Sequence, residues 1–113
     1  MTVKLMLLKT GETIISDAKE VVQEEQVRGY LLTQPHYVRT QEKTVLMESE
    51  SGNGNYELDV ILSPWMILST DTEYVVTADY IATIAEPIPS VKDMYLKKVG
   101  EPMQVTETEV VNG

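Results

Sequence analysis

The chain contains no cysteine. Disulfides, thiolate metal sites and thiol nucleophiles are excluded together, while the redox compartment stays open, since a lack of thiols fits any location. Histidine occurs once, at His36, which excludes a histidine-rich metal site, and a triad would have to be built as Ser16, Asp17 and His36 or similar. No strained nucleophile turn surrounds any serine, and His36, directly after Pro35, is expected in a turn or facing solvent. Basic residues are scarce as well: 9 Lys and Arg stand against 18 Asp and Glu, a formal charge of −9. Such a surface repels phosphate backbones and anionic lipid at long range, so broad electrostatic capture of nucleic acid is disfavoured and only a local basic patch stays open.

Long apolar runs are missing too. Residues 5–8 are apolar, but a run of four falls short of the roughly 7 to 15 residues of a signal-peptide core. Residues 60–68 are broken by Ser63 and Pro64, and a bilayer-spanning helix needs about 20 apolar residues. A soluble, cytoplasmic protein with no membrane partner is expected. The six glycines form no phosphate cradle, because Gly52-Asn53-Gly54 joins two expected strands and so reads as hairpin chemistry. Asp17 with Glu20, and Glu24 with Glu25, read as solvated surface in preference to acid/base couples. No cofactor, metal or catalytic role is expected.

What is present is a β pattern. At 113 residues the chain is read as one domain over 1–100, with the sheet in 3–86, a helix in 90–99 and an acidic tail in 101–113. Strand-forming residues dominate, and turn signals recur at intervals suited to a small β protein. Residues 3–8 and 12–23 are the first two strands, joined by a turn in which Gly11 supplies a positive φ. Ile14 and Ile15 are adjacent and so point to opposite faces, which implies that one of them meets something other than the domain's own core. Strand pieces follow at 27–33 and 37–40, and Pro35 between them marks an edge, a bulge or a turn. Residues 44–48 and 56–69 are expected to flank the hairpin loop 49–55, with Tyr56, Leu58, Val60 and Leu62 on the buried face. A strand pair, 73–76 and 80–85, flanks Thr77-Ala78-Asp79. Ser90 is the expected N-cap of the helix, Asp93 approximates a capping box, and Val91, Met94, Tyr95 and Val99 share one face. Residues 105–111 could add an edge strand.

Two residue groups are candidates for function. Arg28 and Arg39 lie near Tyr30, His36 and Tyr37 in sequence, the best available patch for stacking and charging a single-stranded RNA. Trp65, Met66 and Ile67, with Tyr80 and Ile81, are candidate subunit-interface residues. There Trp65 reads as a core or interface anchor in preference to a base-stacking platform.

The order of elements resembles the Sm-like (LSm/Hfq-type) fold, over residues 3–86. Leu8-Lys9-Thr10-Gly11-Glu12 followed by Ile14-Ile15 is similar to the start of the first Sm motif, and residues 74–84 are similar to the second. The resemblance implies a strongly bent five-stranded antiparallel sheet, a small open barrel, whose subunits join edge to edge in a ring. With Pro64-Trp65 before the last two strands, Glu86-Pro87 after them and a C-terminal helix, the whole is also similar to small uncharacterised Sm-like proteins encoded by tailed bacteriophages. The RNA-binding residues of the family are not matched: Ser16 stands for the second glycine, Val21 for the aspartate of the RNA loop and Thr77-Ala78 for the arginine-glycine pair. The resemblance therefore implies a ring-forming Sm-like structural or protein-interaction protein of bacteriophage origin, without catalytic activity. It would consist of about five to seven copies, by analogy, with a protein partner for its acidic surface. The alternative is an Sm-like RNA-binding protein with a non-standard site.

Overall fold

The computed structural model describes residues 1–44 and 56–100, with side chains over 1–41 and 59–100. The end of the expected hairpin arm, 45–48, its loop, 49–55, and the acidic tail with its candidate strand, 105–111, lie outside the described residues. Among the described residues the architecture is mainly β: six antiparallel strands in one open sheet and a single helix after the last strand. The strands are β1 (Val3–Leu8), β2 (Thr13–Gln23), β3 (Gln26–Thr44), β4 (Tyr56–Pro64), β5 (Glu73–Thr77) and β6 (Ile81–Ala85), and α1 runs Pro89–Gly100. Five strands were expected from the resemblance. The sixth, β4, arises because the hairpin arm pairs along the outer half of β3, from His36 opposite Pro64 to Thr44 opposite Tyr56.

The strand order is β4-β3-β2-β1-β6, and β5 joins the inner half of β3, from Gly29 opposite Thr77 to Thr33 opposite Glu73. This order forces the sheet to curl. A flat sheet would hold β5 and β6 four interstrand gaps apart, about 19 Å. Only a single 3-10 turn, Ala78–Tyr80, joins them, with a rise of about 2 Å per residue. β5 and β6 are thus neighbours in sequence that pair with β3 and β1 respectively, and the expected strand pair is corrected to two strands with different partners.

The curl creates two cores. Met6, Leu8, Ile14, Ala18, Leu32 and Val76 form one cluster, lined by Tyr30, Trp65, Tyr80 and Ile81, and the sheet itself encloses it. Val3, Ile15, Leu62, Val91 and Tyr95 form the other, on the face that α1 covers. Alternation along β1 feeds both, with Val3 and Leu5 on one side and Met6 and Leu8 on the other. Ile14 and Ile15 point to opposite faces as expected, yet both are fully buried inside the chain, so no subunit contact is needed to cover either. Each contributes about 1.5–3 kcal/mol by burial.

The local signals explain most boundaries. Gly11, at φ +99, makes the β1–β2 turn. The β2–β3 turn places Glu24 and Glu25 at φ 56 and 63, a geometry that favours asparagine and glycine. The helix starts at Pro89, with the Val91 and Lys92 N–H groups donating to the Ile88 carbonyl, so Ser90 lies inside the first turn and is not the N-cap. Proline fits the first helical position because its missing N–H would be unpaired there anyway. Val91, Tyr95 and Val99 face the sheet as expected, whereas Met94 is exposed.

Candidate functional site

β3 runs unbroken through Pro35, and its partners change there. On the β2 side the register passes from Ile15 opposite His36 to Asp17 opposite Thr33, so Gln34 and Pro35 together face Ser16. This is a β-bulge, with Gln34 at φ 54 and a proline that has no N–H to give the ladder. On the other side the Trp65 N–H donates to the Pro35 carbonyl at 3.0 Å, and the Gln34 N–H donates to the Thr72 carbonyl at 2.6 Å. The loop 65–72 therefore leaves β3 and returns to it at one point.

A buried polar cluster holds the bulge. The Tyr95 hydroxyl accepts the Asp17 N–H at 3.1 Å and lies 2.9 Å from the Thr33 carbonyl and 3.1 Å from that of Gln34, to which it can donate. Burial raises its pKa above the ordinary value, with the Asp17 charge adding to the rise, so the hydroxyl stays protonated. Ser16 Oγ lies 2.9 Å from the Asp17 carbonyl and 3.0 Å from the Thr33 carbonyl. The Asp17 carboxylate accepts the Thr2 N–H at 2.9 Å. His36 Nδ1 sits 3.0 Å from the Gln34 carbonyl, and the ring meets Tyr95 edge-on at 5.7 Å. A carbonyl only accepts, so Nδ1 carries the proton and Nε2 of the neutral ring is a lone-pair acceptor. Burial lowers the His36 pKa below 6.5, and the Lys98 charge adds to the effect against the Gln34 hydrogen bond. Ser16, Asp17 and His36 thus come together at the bulge, but each is engaged with backbone, and among the described residues no side-chain-to-side-chain hydrogen bond links the three.

Beside this cluster opens a cleft of about 440 Å³. Gln34, Pro35 and His36 form one wall, Trp65, Met66, Ile67 and Tyr74 another, and Lys98 and Val99 come from the end of α1. The Trp65 and Tyr74 rings stand edge to face at 6.2 Å. Beyond them Ile67 and Leu68 project into solvent, 70% and 97% exposed. A second hollow of about 390 Å³ lies against the curl, lined by Lys4, Met6, Ala18, Glu20, Tyr30 and Ile84.

The residues singled out in the sequence fall as follows. Arg28 is exposed at a second bulge, where the register passes from Gly29 opposite Val21 to Val27 opposite Val22, and it pairs with Glu24 at 3.7 Å. Tyr30 packs on the enclosed core. Tyr37 is half-buried and Arg39 exposed. The arginines lie eleven positions apart on β3, a contour of about 36 Å, with the Pro35 kink between them. His36, expected in a turn or facing solvent, is a strand residue only 8% exposed, because α1 closes over that face. Of the candidate interface residues, Trp65, Tyr80 and Ile81 pack on the enclosed core, while Met66 and Ile67 are exposed. Residues 65–68 form no strand, which corrects the expected strand 56–69 to one that ends at Pro64. Tyr74, Tyr95 and Lys98 were missed as parts of a site. The break at Gln34-Pro35 was the one local signal, and the residues that surround it come from distant segments.

No helix among the described residues is long and apolar enough to cross a membrane. A family model described as a family of unknown function, DUF6561, matches residues 1–100. No curated protein matches the chain.

Proposed function

We propose, from the premise that the chain belongs to the DUF6561 family of unknown function, that it is an Sm-like structural or interaction protein that closes into a ring and has no catalytic role. The observation that carries this reading is that β5 and β6, joined by one short turn, each have an unpaired edge at an end of the curl, while the edge of β4 lies beyond, on the outer half of β3. Among the described residues β5 pairs only with β3, and β6 only with β1, so each presents one open row of N–H and C=O groups. Open edges recruit strands. An edge at each end of one subunit suits head-to-tail pairing of β5 with β6 of the next copy, an arrangement that closes when the rotation per subunit allows it. Val75 and Ile84 lie exposed on these strands, 67% and 39%, apolar surface that a neighbouring copy would cover. The contact is thereby moved from residues 65–68 to β5, with Tyr80 and Ile81 supporting it from the core side. The acidic surface then faces outward to a protein partner.

Native mass spectrometry of protein purified without nuclease tests the reading. A closed oligomer of about five to seven subunits with no added mass is expected by analogy with closed cyclic assemblies. A monomer overturns it, and added nucleotide mass favours the RNA-binding alternative. Val75→Glu is expected to dissociate the oligomer while the monomer stays folded, since exposed substitutions change stability by only about 0.5 kcal/mol. An unchanged oligomer in this variant removes the β5 edge from the interface.

A further inference from the structure

We infer that the cleft at the β3 kink is a binding site for a small phenol-type molecule, an apolar ring carrying one hydroxyl donor. Three observations converge on this class. The cleft, at about 440 Å³, falls within the roughly 300–1,000 Å³ of small-molecule sites. Its outer wall is aromatic and aliphatic, with Trp65 edge to face on Tyr74 and Met66 and Ile67 alongside, a surface that suits a flat apolar ring. His36 is among its lining residues, and this imidazole carries a polar atom with an unmet requirement. His36 is more than nine-tenths buried, its Nδ1–H is directed to the Gln34 carbonyl, and Nε2 has no hydrogen-bond partner among the described residues.

The chemistry of that atom selects the ligand. Nε2 of the neutral ring can only accept, so an occupant must supply a donor, and a ligand without one leaves a buried acceptor unpaired. Lys98 adds to the effect of burial in keeping the ring neutral, so the lone pair is present at neutral pH. Lys98 and Asp71 at the rim carry opposite charges, so the cleft has no net preference for an ion. An uncharged ring with a single hydroxyl matches both the aromatic wall and the His36 acceptor.

The chain has one tryptophan and one histidine, so both walls report separately. Trp65 fluorescence is titrated with p-cresol and with 4-methylanisole, which has the same ring but no donor. The His36 imidazole nitrogen signals are followed in parallel. p-Cresol is expected to bind about fivefold to tenfold more tightly, the worth of one hydrogen bond, and to shift the Nε2 signal more than the Nδ1 signal. In His36→Phe that preference is expected to vanish. Equal affinity for the two probes, no Nε2 shift, or no binding of either overturns the proposal, and these tests on the wild-type chain hold even where the variant fails to fold. N-acetyltyrosinamide separates the source of the ring. Tighter binding than p-cresol assigns the phenol to a polypeptide side chain, weaker binding assigns it to a free small molecule, and phenol recognition stands in both cases.

Discussion

His36 shows what a single residue can hide from the sequence. After a proline and among polar neighbours it reads as a solvent-facing turn residue, but its surroundings come from α1, some sixty positions away, which no local pattern announces. Its burial has a thermodynamic consequence. The unfolded chain takes up a proton near the ordinary value of 6.5, while the folded chain does so only at lower pH. Between the two values the unfolded state holds more protons, so stability rises with pH across that window and is lost as pH falls below about 6.5. Urea midpoints are expected to be lower at pH 5.5 than at pH 7.5 in the wild-type chain, and the difference is expected to shrink in His36→Gln. A wild-type midpoint that does not change with pH sinks the argument. Glu24 and Glu25 were equally hard to read. They read as solvated surface, but the left-handed conformation they adopt is set by the two-residue span between β2 and β3, and asparagine or glycine would ordinarily mark it.

At the scale of elements, β1, β2 and α1 were legible because alternation, Gly11 and the apolar face of 91–99 are local. β3 was read as two pieces because proline breaks a ladder. It continues because the bulge is satisfied from outside the strand, chiefly by the hydroxyl of Tyr95 on α1. The expected face of the helix identified Tyr95 as a packing residue, yet a 3.6-residue period cannot show that its hydroxyl reaches three backbone groups. Tyr95→Phe keeps the packing and leaves the buried Asp17 N–H without an acceptor, whereas Thr33 keeps Ser16 Oγ and Gln34 keeps His36. The expected loss is about 1–3 kcal/mol, read as a lower urea midpoint at an unchanged slope. A loss below about 0.5 kcal/mol would mean that solvent reaches the bulge.

For the whole molecule, the antiparallel β class and the terminal helix were readable, since strand periodicity and turn spacing do not depend on any site residue. The curl and its two open ends were not readable from pattern alone, because they follow from which strands pair. Nor was the cleft, whose walls come from 34–36, 65–74 and 98–99. Net charge acts at this scale as well. Each copy carries −9, so copies repel at low salt. Raising salt from about 0.01 M to about 1 M shortens the screening length from about 30 Å to about 3 Å, and the proposed ring is expected to hold together at lower protein concentration in the saltier buffer. Light scattering on dilution measures this. A ring that loosens with salt would place attractive charge pairs at its seams.

The pairing of β1 with β6 joins Leu5 to Ala85 across nearly the whole described chain. On a ribosome adding roughly 5–20 residues per second, β1 waits about 4–16 s before its second neighbour is made. During that interval the nascent chain exposes Met6 and Leu8, later sealed in the enclosed core, beside an unpaired strand edge. Completion of this protein is thus a late, end-to-end event, and its exposure to misassembly is greatest while it is still being synthesised.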